Sequence, residues 1–162
     1  ANALYKQGFI KEGYKVLKTL LDTAMDFDRS RVYPGVPEYF DNDGRGLYSY
    51  LTGAASWYML TMITSVYGVH GELGDLVIEP ALMPQQYNEK GDAKVSLEFA
   101  GHGFDILVHN PDKLEPGDAH VKRALCDDVK VENVTGNSVR IPKHAIEMLS
   151  TDKCHTVEIY IE

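Results

Sequence analysis

The sequence predicts a mixed fold of two units, a helical segment followed by an antiparallel, jelly-roll-like β-sandwich. Three observations predict it. Apolar residues recur at helical spacing early in the chain, and they alternate with polar ones late in it. Between the two patterns the composition shifts. Residues 1–78 hold 12 of the 16 aromatic residues and a net charge of −2, whereas residues 79–162 hold four aromatics and carry −6.

In the first unit, Ile10, Tyr14, Leu17, Leu21 and Ala24 share one helical face, with Lys11, Lys15 and Lys18 on the other. Gly8 stands where a preceding short helix would end, so residues 2–7 read as a helix tail. A second helix is expected from Thr52-Gly53 to about Tyr67. Its apolar residues, among them Trp57, Met59, Leu60, Met62 and Val66, go all the way round, which predicts burial on every side. One amphipathic partner cannot cover such a helix, so the chain reads as a piece of something larger. The opening Ala1-Asn2-Ala3-Leu4 is neither a signal peptide nor a natural start, which agrees. Between the two helices, the prolines and glycines of Arg31 to Gly46 predict a long loop without regular structure, of the kind that carries function.

In the second unit, Val95, Leu97 and Phe99 alternate with Lys94, Ser96 and Glu98, and Val157, Ile159 and Ile161 with Glu158 and Tyr160. Gly101-His102-Gly103 and Thr135-Gly136-Asn137 read as turns. Pro142 opens a short helix carrying Ala145, Ile146 and Leu149.

Composition removes several classes of function. A chain of 162 residues that is 44% hydrophobic and 25% charged is globular, not disordered or fibrous. Its net charge of −8 gives no attraction to nucleic acid or to an anionic membrane. The uncharged run Leu47–Val69 is long enough to span a bilayer, but its many Ser, Thr and Tyr hydroxyls favour burial inside protein. Cys126 and Cys154 make no disulfide framework and are expected to be reduced, in a cytoplasmic protein.

The most informative chemistry lies at Thr52-Gly53-Ala54-Ala55-Ser56. Threonine is a good N-cap, and the small residues after it let a ligand approach the first helical turn. A helix N-terminus presents N–H groups and about half a positive charge, and so receives phosphate-like anions. An ordinary capped helix has the same appearance. Loop carboxylates Glu38, Asp41 and Asp43, beside Tyr33, Tyr39, Phe40, Tyr48 and Tyr50, match a sugar site of stacking rings and hydroxyl acceptors, or equally a solvated acidic turn on a tyrosine-rich core. Asp41-Asn42-Asp43-Gly44 lacks the ligand spacing of a calcium loop. His70 to Asp75 reads as a helix-ending turn rather than a catalytic pair. Cys154-His155 stands apart from other metal ligands, and no metal is expected.

Val36-Pro37-Glu38-Tyr39-Phe40, Gly44-Arg45-Gly46, Tyr50-Leu51-Thr52-Gly53-Ala54-Ala55-Ser56-Trp57 and Gly71-Glu72-Leu73-Gly74-Asp75-Leu76, followed by Glu79-Pro80, occur in this order. Together they resemble the C-terminal part of glycoside hydrolase family 94, the cellobiose and cellodextrin phosphorylases. The resemblance implies that residues 1–78 are the last helices of an (α/α)6 catalytic barrel and residues 79–162 the β-sandwich that follows it. It implies inverting cleavage of a β-glucosidic bond by inorganic phosphate, a substrate and not a cofactor, to give α-glucose 1-phosphate. The family's phosphate-binding Thr-Gly pair falls on Thr52 and Gly53, and a sugar-contacting Gln/Glu of the preceding loop on Glu38. The catalytic acid, an aspartate, and the remaining phosphate ligands, an arginine and a histidine, belong to a barrel portion that has no counterpart here. The isolated chain is therefore expected to be inert and its parent to be a homodimer. Cellodextrin, laminarin-type and β-1,2-glucan phosphorylases all remain open; the tail of a β-1,2-glucan synthase is a further reading, but the motifs fit the soluble members better. A non-catalytic carbohydrate-binding or assembly module is the rival from another class.

Overall fold

The computed structural model describes residues 1–33, 35–48 and 53–162. The chain packs as two units, Ala1–Met62 and Ile63–Glu162. No described helix is long and apolar enough to cross a membrane.

The first unit begins with α1 (Asn2–Lys6) and α2 (Ile10–Met25). Gly8 divides them at φ +80°, a conformation that side-chain-bearing residues resist. Tyr5 is buried with its ring against Gly13, where an added Cβ would lie 2.6 Å from the ring carbon Cδ2. That burial pushes the Tyr5 hydroxyl up to about 12. Leu17 and Ala24 are buried on α2 as their spacing predicts, but Leu21 on the same predicted face is exposed.

A short α3 (Phe27–Ser30) follows, its Arg29 N–H donating to the Asp26 side chain. The loop expected to lack regular structure carries a small hairpin, β1 (Tyr39–Phe40) with β2 (Gly46–Leu47). Asp41 makes it possible. Its Oδ1 accepts the Asp43 and Arg45 N–H groups at 3.0 and 2.9 Å and folds the turn, while the Arg29 guanidinium donates to the Asp43 carbonyl.

Helix α4 spans Ala54–Thr61, and a π-turn, Met62–Val66, extends it. The expectation of all-round burial does not hold within this chain. Trp57 is 65% exposed and Met59 59%, and of this whole stretch Thr61 and Val66 are the buried residues. Sixty-two residues built around one long helix offer too little surface to cover every side of a second.

The second unit is sheet-rich, which is compatible with a β-sandwich. One sheet is antiparallel, in the order β3 (Val69–Glu72), β4 (Asp75–Ile78), β10 (Ser138–Ile141), β9 (Val134–Thr135). The other runs β5 (Asp92–Phe99), β6 (His102–His109), β11 (Cys154–Ile161), β7 (Val121–Cys126), β8 (Val129–Lys130). It departs from the antiparallel expectation at one place: β6 and β11 are parallel, with Cys154 opposite Gly103 and Tyr160 opposite His109. Alternation on β6 buries Phe104, Ile106 and Val108, and that on β11 buries Val157 and Ile159. Helix α5 (Lys143–Glu147) starts after Pro142, as its sequence predicts, and buries Ile146.

The packing division does not coincide with the composition step near residue 78. Residues 69–78 form the β3–β4 hairpin, turning at Leu73 and Gly74, and Leu76–Ile78 pair with β10. Strand pairing, not aromatic content, places this segment in the second unit.

Three carboxyls of this unit are held below the usual range. Asp75 accepts the Lys143 N–H and the Arg140 guanidinium, Asp105 accepts Lys94 and Ser96, and Asp127 accepts Lys153, His155 and the Thr156 N–H. A depressed carboxyl contributes stability at pH above its unfolded value of about 3.9, and that contribution is lost as pH falls through the lower folded value. The urea midpoint followed by circular dichroism is therefore expected to be lower at pH 2.5 than at pH 6; equal midpoints would contradict this account.

Candidate functional site

The functional residues expected from the sequence fall in the first unit. A cavity of about 440 Å³ is lined there by Leu17 and Leu20 of α2, by Glu38, and by Gly53, Ala54 and Trp57 at the start of α4. Glu38 and Gly53, 15 positions apart in sequence, thus share one cavity. Thr52, the third expected residue, lies outside the described residues.

Gly53 serves as the N-cap of α4, and the Trp57 N–H donates to its carbonyl at 2.8 Å. A Cβ at position 53 would meet the Trp57 indole carbon Cδ1 at 3.1 Å. Glycine therefore lets the indole lie close against the backbone at the positive end of the helix. Glu38 is held through its main chain, its N–H donating to the Tyr48 carbonyl at 3.0 Å just before β1. Of the aromatic residues named with it, Tyr33, Tyr39 and Tyr48 are exposed, the last two with ring centroids 6.1 Å apart, Phe40 is half-buried, and Tyr50 lies outside the described residues.

Asp41 and Asp43 are not among the cavity's lining residues. Asp41 spends its carboxylate on the hairpin turn, as described above. The hydrophobic walls, Leu17 and Leu20, escape a motif search because their signal is only the ordinary apolar face of a helix.

His70 to Asp75 is not the expected helix-ending turn: it lies on the β3–β4 hairpin. His70 Nδ1 lies 3.1 Å from the Gly68 carbonyl, while Glu72 and Asp75 both hold Arg140. Cys126 and Cys154 are free thiols. Cys154 is exposed and His155 buried, as neighbours on a strand must be when one face is core. Among the described residues no group of three His, Cys, Asp or Glu side chains is placed to hold a metal ion.

The cavity thus combines apolar side chains such as Leu17, Leu20 and Trp57 with polar ones, Asn2, Glu38, Tyr58 and Thr61, at the start of a helix. Compared with known families and with curated proteins, the chain matches no family model and no curated relative.

Proposed function

We propose that this chain is the C-terminal part of a cytoplasmic, inverting β-glucan phosphorylase, a glycosyltransferase that converts a β-linked gluco-oligosaccharide and inorganic phosphate into α-glucose 1-phosphate. The observation that carries this reading is the shared cavity of Glu38 and Gly53 at the start of α4. The resemblance of the surrounding motifs supplies the reaction. In it a phosphate oxygen attacks the anomeric carbon from the face opposite the glucosidic bond. That bond breaks, and an acid supplied by the upstream barrel protonates the departing oxygen.

In this reading Thr52 donates its hydroxyl and Gly53 its backbone N–H to phosphate, and Glu38 accepts a sugar hydroxyl proton. The exposed apolar side chains of α4 pack against barrel helices encoded upstream, and the active parent is a homodimer. Anion and proton chemistry suffice for the step, so no resident cofactor is invoked.

Thr52→Val in the enzyme that includes the barrel tests the assignment. Losing one hydrogen bond to a charged oxygen is expected to raise the KM for phosphate by about tenfold and leave the KM for the sugar nearly unchanged. An unaltered phosphate KM would remove Thr52 from the site. The exposure of Tyr33, Tyr39 and Tyr48 favours a second reading, a non-catalytic carbohydrate-binding module. Titrating the isolated chain with cello-oligosaccharides separates the two, because saturable binding without phosphate belongs to the module alone.

A further inference from the structure

His155 on β11 of the second unit is only 1% exposed, and both of its ring nitrogens meet oxygen. Nδ1 lies 2.7 Å from Asp127 Oδ2, and Nε2 lies 2.7 Å from the Ser150 carbonyl. Neither oxygen has a hydrogen to give. A carbonyl never does, and the Asp127 carboxyl stays ionised because the Lys153 ammonium, the imidazole and the Thr156 N–H all hold it below the usual range. A neutral imidazole carries one N–H, so it satisfies one of these contacts and sets a lone pair against oxygen at the other. Burial makes that mismatch costly.

We infer that His155 is a buried imidazolium that clasps the Ser150–Lys153 loop to the Asp127–Asp128 turn, and that loss of its proton releases the clasp.

The surroundings are built to hold Asp127 in place. Asp127 and Asp128 both adopt positive φ, 46° and 65°, in the tight turn between β7 and β8. Asp127 Oδ1 accepts the Thr156 N–H at 2.9 Å, and the Asp127 N–H donates to the Thr156 carbonyl. Lys153 Nζ reaches the same Oδ2 at 2.7 Å, from the loop that leads into β11. From β6, His102 brings its ring centroid to 6.0 Å from that of His155 and its Nδ1 to 3.3 Å from the Ser150 carbonyl, and Phe104 packs its apolar ring with its centroid 5.8 Å from that of His155. Among the described residues, then, Asp127 is the charge shown favouring the imidazolium, and Lys153 and His102 are the titratable groups that would oppose it. Cys154, the neighbour on β11, points to the exposed side.

The clasp also borders a cavity. Asp127 on one side and Leu149, next to Ser150, on the other line an apolar space of about 600 Å³ with Val129 and Met148. The contribution is present while the ring holds both protons and is lost as pH rises, so the loop beside that cavity loosens on the alkaline side.

The test is a long-range proton–nitrogen NMR spectrum of the 162-residue chain at pH 7.5, with His155 assigned through its disappearance in His155→Gln. Two slowly exchanging ring N–H protons on His155 are expected. As pH is raised and the second proton leaves, the Ser150–Lys153 amides should lose about tenfold in hydrogen-exchange protection in the same step, and His155→Gln should lack that step. Asp127→Asn covers the case in which His155→Gln does not fold: its imidazole should keep one N–H, on Nε2, and show no step. A single ring N–H in the wild type at pH 7.5, or a step that persists in either variant, overturns the inference.

Discussion

Replacing Phe104 with alanine is expected to cost roughly 3–5 kcal/mol, measured as the shift in urea-unfolding free energy of the whole chain at pH 7. Phe104 is fully buried on β6, the strand hydrogen-bonded to β5 on one side and to β11 on the other. Its antiparallel partner is Leu97 and its parallel partner His155. Truncation removes the transfer energy of the ring and leaves a void, because hydrogen-bonded strands on both sides keep the backbone from closing on it. Total stabilities of domains lie at about 5–15 kcal/mol, so such a loss takes the second unit close to its limit. The phenyl edge also bounds the His155 pocket, so the variant should weaken protection at Ser150–Lys153 as well. A measured loss under about 1.5 kcal/mol would show that the ring is not packed as described.

Gly68→Ala is expected to destabilise by more than about 2 kcal/mol, for a different reason. Gly68 joins the π-turn to β3 at φ +68°, and a Cβ there would collide with the carbonyl oxygen of Glu79. That oxygen belongs to backbone and cannot rotate away as a side chain could. The same two segments are tied by the Glu79 N–H donating to the Gly68 carbonyl at 3.1 Å and the Ala81 N–H to the Val66 carbonyl at 2.8 Å. Relief of the clash therefore requires breaking the seam. Gly101→Ala is the control. Gly101 has φ +80° but nothing within 4 Å of the added carbon, so it should pay only the left-handed cost of about 1–2 kcal/mol. Equal losses at the two positions would show that the contact with Glu79 is not what makes Gly68 necessary.

The candidate site was legible in the sequence only in outline. Thr52-Gly53 ahead of an apolar run marks a helix start by local chemistry, but the N-cap of α4 is Gly53 and not the threonine expected there. By residue type Glu38 is one of three loop carboxylates, and only the family resemblance singles it out. The structure adds that the Asx turn consumes Asp41 and that Glu38 lines the cavity. The clasp around His155 had no signature at all, since its partners Asp127 and Ser150 are ordinary turn residues until folding brings them to one ring.

What the sequence by itself determined about this protein is local. Alternation set strands over 94–99 and 157–161, which the structure extends to Asp92–Phe99 and Cys154–Ile161, Pro142 set the start of α5, and Gly8 separated α1 from α2. Each of these depends on side-chain period or backbone freedom within a few residues. Only the tertiary structure decided the parallel pairing of β6 with β11, the assignment of residues 69–78 to the second unit's sheet, and the exposed apolar face of α4. It also brought Asp127 to His155, 28 positions away. A strand's pattern states that it needs partners on one face, but not which partners or in which direction. That choice is made by the burial and hydrogen bonding of the assembled sheet.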